Sequence, residues 1–145
     1  METAQKTPWH LWVVAVLACL WNGMGALDYV MTQSNNEAYL SQFTDAERAF
    51  FTAIPTWAVF FWALSIWSAV LGSILLFFKS RFVVPLYWAS LVGFLIVAVQ
   101  NYLLASPSMV EVVGTFAAIF SVIIFIIIIA LLYYAISMRA KGVLR

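Results

Sequence analysis

Apolar positions fill four long stretches of this chain, and the polar residues fall almost wholly between them. A helix needs about 20 mostly apolar residues to cross a bilayer. Four such runs are predicted, at Trp9 to Met31, Pro55 to Phe78, Phe82 to Ala105 and Val110 to Met138. The breaks Lys79-Ser80-Arg81 and Ser106-Pro107-Ser108 are short, so consecutive helices must be antiparallel neighbours. The expected fold is an all-α membrane protein, an antiparallel bundle of four transmembrane helices forming one domain over residues 1–145. The first run is longer than the roughly 7–15-residue core of a signal peptide, so it is expected to remain as a helix.

The loop between the first two spans, about Thr32 to Ile54, carries its own signal. Thr44-Asp45-Ala46-Glu47 fits a capping box, in which the Thr hydroxyl accepts from a backbone N–H and the Glu reaches back. A short amphipathic helix should run from there to about Ala53, with Ala46, Ala49, Phe50 and Ala53 on one face. Such a helix would lie on the membrane surface or cap the bundle. Pro55 suits the start of the next helix, where its missing N–H would be unpaired anyway.

Within the spans, small residues recur at helical spacing, as close helix packing in lipid requires. The stripes are Ala15, Ala18, Cys19, Asn22, Gly23 and Ala26 in the first span, and Ser65, Ser68, Ala69, Gly72 and Ser73 in the second. Ala89, Ser90 and Gly93 align with Gln100 in the third; Gly114, Ala117, Ala118 and Ser121 align with Glu111 in the fourth. Four stripes on four helices predict one compact bundle.

Charge sets the orientation. Of the seven Lys and Arg residues, Lys6, Lys79, Arg81, Arg139, Lys141 and Arg145 fall on one side and only Arg48 on the other. By the positive-inside rule both termini are cytoplasmic, and the location implied is the inner membrane of a bacterium. The 145 residues are 66% hydrophobic and 9% charged. A soluble domain of this size could not bury so much apolar surface. A net charge of +1 gives no basic field for nucleic acid.

Candidate chemistry is sparse. Cys19 is the single cysteine and His10 the single histidine, so no disulfide, no metal cluster and no nucleophile paired with a base is expected. His10 lies between Trp9 and Trp12 at the interface, and a haem held by two histidines would need the second from another chain. Neither cofactor nor metal is expected, and no enzymatic activity. What stands out is polar residues on or near the packing faces: Asn22, Tyr29, Gln100, Asn101 and Glu111, a candidate outward-facing ligand pocket. Asn22 alone could instead bond a neighbouring helix, and Glu111 could simply favour the positive end of a helix dipole. Asp28 falls opposite the small stripe, with an ion pair to Arg48 as its candidate partner.

The run Leu20-Trp21-Asn22-Gly23-Met24-Gly25-Ala26-Leu27-Asp28-Tyr29-Val30-Met31-Thr32-Gln33 is distinctive, as are Asn36-Glu37-Ala38-Tyr39-Leu40 and the terminal Met138 to Arg145. Together they make the chain resemble, over essentially its whole length, a small four-helix proteobacterial inner-membrane family. Members are labelled hypothetical proteins or provisionally sugar transporters. The chain lacks the Pro-Gln pair of three-helix sugar transporters and the deep first-helix acid of small multidrug exporters; Asn22 stands at that depth. The expected role is a non-enzymatic accessory or structural membrane component, with the bilayer, a larger membrane complex or a homo-oligomer as partner. The alternative is a small transporter or binding protein for a neutral polar solute such as a sugar.

Overall fold

A computed structural model describes residues 5–145. These form helices and no strand: α1 (Trp9–Gln33), α2 (Glu37–Leu40), α3 (Asp45–Thr52), α4 (Thr56–Phe77), α5 (Val83–Val99, continuing as a π-helical turn over Gln100–Leu104), α6 (Met109–Val113) and α7 (Thr115–Ala140). Four helices, α1, α4, α5 with its π turn, and α7, are long and apolar enough to cross a membrane. They pack as an all-α four-helix bundle, in which α4 lies between α1 and α5, and α5 between α4 and α7.

The tightest approach is α4 against α5, and small side chains make it possible. A Cβ added to Gly93 would stand 2.7 Å from the Phe61 carbonyl oxygen, and one on Gly72 2.8 Å from the Tyr87 ring. Ser65, Ala69, Gly72 and Ser73 are buried on the facing side of α4, with Ser90, Leu91 and Gly93 on α5. On α1 the stripe turns differently from expectation. Gly23 meets nothing within 4 Å, whereas a Cβ on Gly25 would touch the Ile66 side chain at 3.2 Å. The face that α1 presents to α4 is therefore rotated, leaving Gly23 exposed.

The fourth span also differs from its expected start at Val110. Gly114 adopts φ +92, a left-handed conformation that L side chains rarely adopt, and the helix breaks there. Residues 109–113 become the separate α6, and α7 begins at Thr115. Gly114 is thus a breaker, with nothing within 4 Å of an added Cβ, and not the packing position its stripe implied. The capping box at Thr44 is present and opens α3 as expected: Thr44 Oγ1 accepts from Glu47 N at 3.3 Å, and Thr44 N donates to Glu47 Oε2 at 2.8 Å.

The end of the bundle that carries the Lys79–Arg81 turn is closed. Val143 and Leu144 fold back into the core with Leu11, Leu76 and Val83. The backbone of Arg145 accepts from Arg81 N at 2.9 Å and donates to Lys79 O at 2.8 Å. Lys79 Nζ reaches Thr7 Oγ1 at 3.3 Å, so the start of α1, the α4–α5 turn and the end of α7 meet at one end. At that end His10 Nδ1 lies 2.6 Å from the Tyr134 hydroxyl, a contact between α1 and α7 within the chain.

Candidate functional site

The five pocket candidates do not converge. Asn22 on α1 donates from Nδ2 to Ser73 Oγ at 2.8 Å, with Ala69 O at 3.5 Å. Ser73 in turn donates to Ala69 O at 2.7 Å and lies 3.0 Å from the Tyr87 hydroxyl. A three-helix chain, Asn22–Ser73–Tyr87, thus links α1, α4 and α5. Beside it, Ser65 Oγ donates to the Ser90 carbonyl at 2.8 Å, tying α4 to α5. Hydroxyls suit this place because each both donates and accepts, so a short chain can satisfy itself without water. Tyr29 stands apart, its ring edge-on to Trp62 with centroids 5.0 Å apart.

Glu111 is on the surface. It caps α6, with Ser108 N donating to its Oε2 at 2.6 Å. The backbone N–H of Ser108, with its hydroxyl, holds the Glu111 carboxyl below its ordinary 4.5. The break at Gly114 explains the displacement: once α6 separates from α7, Glu111 no longer follows the α7 stripe.

The expected Asp28–Arg48 pair is replaced by two others. Arg48 Nη2 pairs with Glu37 Oε2 at 3.1 Å, and the Asp28 carboxylate accepts from the Tyr39 hydroxyl. Burial, and after it the Asp28 carboxylate, push the Tyr39 phenol well above its ordinary 10.0. The reason is α2, a single turn between α1 and α3. Asn36 Oδ1 accepts from Tyr39 N at 2.9 Å and starts a single turn. That turn places Tyr39 over the end of α1 and Glu37 beside α3. An Asn followed by Glu at the first helical position was a legible signal for it. Ser108-x-x-Glu111 was equally legible as the start of α6.

Of the five, Gln100 and Asn101 line one cleft together. It is an open cleft of ≈ 450 Å³ between α3 and the end of α5. Ala46, Ala49, Phe50 and Ala53, the predicted apolar face of α3, form one wall. Ala105 to Pro107 and Val112 of α6 form the other, with Ile54 and Pro55 at the start of α4. No charged side chain lines it.

The floor is the π turn. Ala105 N donates to the Gln100 carbonyl at 2.8 Å, a bond five residues long, so the last turn of α5 is wider than an α turn. Tyr102 anchors this turn to α7, donating to Ala117 O at 2.9 Å and lying 2.6 Å from Ser121 Oγ. Gln100 is buried. Asn101 Oδ1 is the one side-chain polar atom among the described residues that is buried without a hydrogen-bond partner. Such an atom carries the desolvation cost of an unmade bond.

No family model matches this chain, and neither a curated protein nor a solved structure does.

Proposed function

We propose that this protein is an accessory or structural component of a bacterial inner membrane, multi-pass, with both termini cytoplasmic and without enzymatic activity of its own. The observation that carries the reading is the Asn22–Ser73–Tyr87 chain. These polar groups bond one another between helices and serve as glue, where a solute path would need them free. No Asp, Glu, Lys or Arg lies within the buried parts of the four long helices, so no buried charge is in place there for ion coupling.

Two further features support it. Leu17, Leu20, Met24 and Leu27 of α1, and Phe116, Ile119, Val122 and Ile126 of α7, are large, apolar and exposed. These outer helices offer long faces to lipid or to a neighbouring membrane protein. The cytoplasmic assignment of the termini rests on the basic residues, which the backbone pairing of Arg145 with Lys79 and Arg81 gathers at one end.

The test is purification of the tagged protein in a mild detergent, with reconstitution in parallel. A membrane partner should be retained in fixed stoichiometry. Leu20→Ser together with Met24→Ser should release it, while leaving the thermal stability of the isolated protein unchanged. A chain that runs alone and mediates saturable sugar flux into proteoliposomes would overturn the reading.

A further inference from the structure

Two helices end on the basic side of the bundle in the same kind of turn, and the difference between the turns is a charge. After α7, Val143 N donates to Met138 O at 2.9 Å and Gly142 N to Arg139 O at 3.0 Å, with Gly142 at φ 72. After α4, Ser80 N donates to Leu75 O at 3.1 Å and Lys79 N to Leu76 O at 3.0 Å, with Lys79 at φ 53. Both are the left-handed turn that ends many helices, and glycine fills it without strain. A lysine there holds a conformation that is costly for an L side chain, so the needs of the turn do not explain it. The tail then fixes this turn in place. Arg145 N donates to Lys79 O at 2.8 Å, Arg81 N donates to Arg145 O at 2.9 Å, and Val143 and Leu144 are buried in the core. Lys79, Arg81 and Arg145 are thereby held beside one another, and all three are exposed.

Among the described residues no carboxylate answers these charges. Lys79 Nζ reaches the Thr7 hydroxyl at 3.3 Å and Arg145 Nε the Gly142 carbonyl at 3.2 Å, while the Arg81 guanidinium stands 5.5 Å from the centre of the Phe82 ring. The one ion pair, Arg48 with Glu37, belongs to the opposite end, as do Asp28, Asp45, Glu47 and Glu111; Glu2 lies outside the described residues. Three like charges held together repel one another until an anion joins them. The neighbours of the cluster say which anion. Phe78 precedes Lys79 and Phe82 follows Arg81, both large, apolar and exposed, at the ends of two helices long enough to cross a membrane. A ligand that meets these cations meets the two rings as well, and a small soluble anion has nothing to cover them. A phosphodiester on an acyl body has both parts: oxygens that accept from ammonium and guanidinium donors, and chains to lie on the rings. Basic pockets at the ends of membrane helices take lipid headgroups in this way. Phosphatidylcholine brings its own ammonium, which the cluster repels, whereas an anionic headgroup brings none. We propose that Lys79, Arg81 and Arg145 form a binding site for the phosphodiester headgroup of an anionic phospholipid, with its acyl chains against Phe78 and Phe82.

The experiment titrates the full chain in dodecyl maltoside with dioleoylphosphatidylglycerol or dioleoylphosphatidylcholine and counts bound lipid by native mass spectrometry. The first phosphatidylglycerol should bind at a concentration about tenfold below that needed for phosphatidylcholine. Lys79→Gly is the decisive variant, because it removes the charge and relieves the turn together. It should weaken phosphatidylglycerol binding about fivefold, the order of one cation beside an anionic headgroup, without lowering the thermal unfolding temperature. Arg81→Gln should weaken binding by a similar factor, and the two together about twenty-five-fold. Lys141→Gln removes the same charge from the end of α7 and should leave the first lipid bound as in the parent. Equal weakening by Lys141→Gln would replace the site with a diffuse positive surface. Equal binding of the two lipids by the folded parent, or undiminished binding in the double variant, would overturn the proposal. Displacement of phosphatidylglycerol by millimolar glycerol 1-phosphate would make the ligand a soluble phosphate ester. The proposal rests on the four long helices spanning a membrane and not on the accessory role, which retention of a partner tests separately.

Discussion

Helix α5 contains two contrasting regions within one continuous rod. From Val83 to Val99 it is α-helical and pressed against α4, with Gly93 close enough that a methyl group would strike the Phe61 carbonyl. Its buried hydroxyls at Tyr87 and Ser90 have partners in Ser73 and Ser65. From Gln100 to Leu104 the turn widens, an open cleft separates it from the short α3, and an amide oxygen is buried without a donor. The first region is what lipid-embedded packing selects: small residues, short interhelix distances and complete hydrogen bonding. The second departs from those rules within one turn, and it does so at the wall of a cleft. Real proteins break local rules mainly where something other than stability is served.

The contrast is broken most directly at Gly93. Gly93→Val should cost about 3 kcal/mol, the upper end for overpacking, because the atom in the way is backbone and cannot turn aside. Thermal unfolding in detergent measures it, and a stability within error of the parent would show that α4 and α5 are not in close contact there. Gly72→Leu should cost less, about 2 kcal/mol, since the Tyr87 ring can move at the expense of its contact with Ser73. Ile127→Leu, in the uniformly apolar run of α7, should be nearly silent in the same assay.

A pair of amide removals sharpens the contrast. Asn22→Leu should lower stability by about 1 kcal/mol, the value of an interhelix hydrogen bond in a membrane. Asn101→Leu should raise it by about 0.5 kcal/mol, because it deletes an unsatisfied acceptor and leaves an apolar wall. Equal losses from both would erase the distinction between the two regions. The smallest effect concerns α6, the far wall of the cleft. With the Glu111 carboxyl held below 4.5, its capping bond contributes fully at pH values above 4.5. That contribution is lost as pH falls through the lowered pKa. The protection of the Val112 and Gly114 amides, measured against intrinsic exchange at each pH, should fall on acidification through that range, and Glu111→Gln should remove that pH dependence of the protection.

Much of the framework was legible because it depends on local composition. Twenty or so apolar residues can do little in water and one obvious thing in a bilayer, so the four long helices follow from the runs themselves. The capping box at Thr44 is a contact within four residues, and so is the amphipathic face of α3. The packing of Ser65, Ala69, Gly72 and Gly93 follows from the spacing of small residues. Asn36 and Ser108 carried equally local signals for α2 and α6, which went unread.

Tertiary structure decided which partner each polar group takes, since several are within chemical reach and geometry chooses among them. Asp28 could have met Arg48, but the extra turn α2 brings Tyr39 to Asp28 and Glu37 to Arg48. Asn22 could have faced a cavity, but the rotation of α1 that exposes Gly23 and seats Gly25 on Ile66 carries its amide to Ser73. Glu111 left the interior because a single positive φ at Gly114 uncouples α6 from α7. A one-residue change of helical phase moves a side chain by about 100°, so small backbone events at glycines outweigh any periodicity read along the chain. The cleft itself belongs to this second class: its walls come from residues 46–55 and 100–112, which only the tertiary fold brings together.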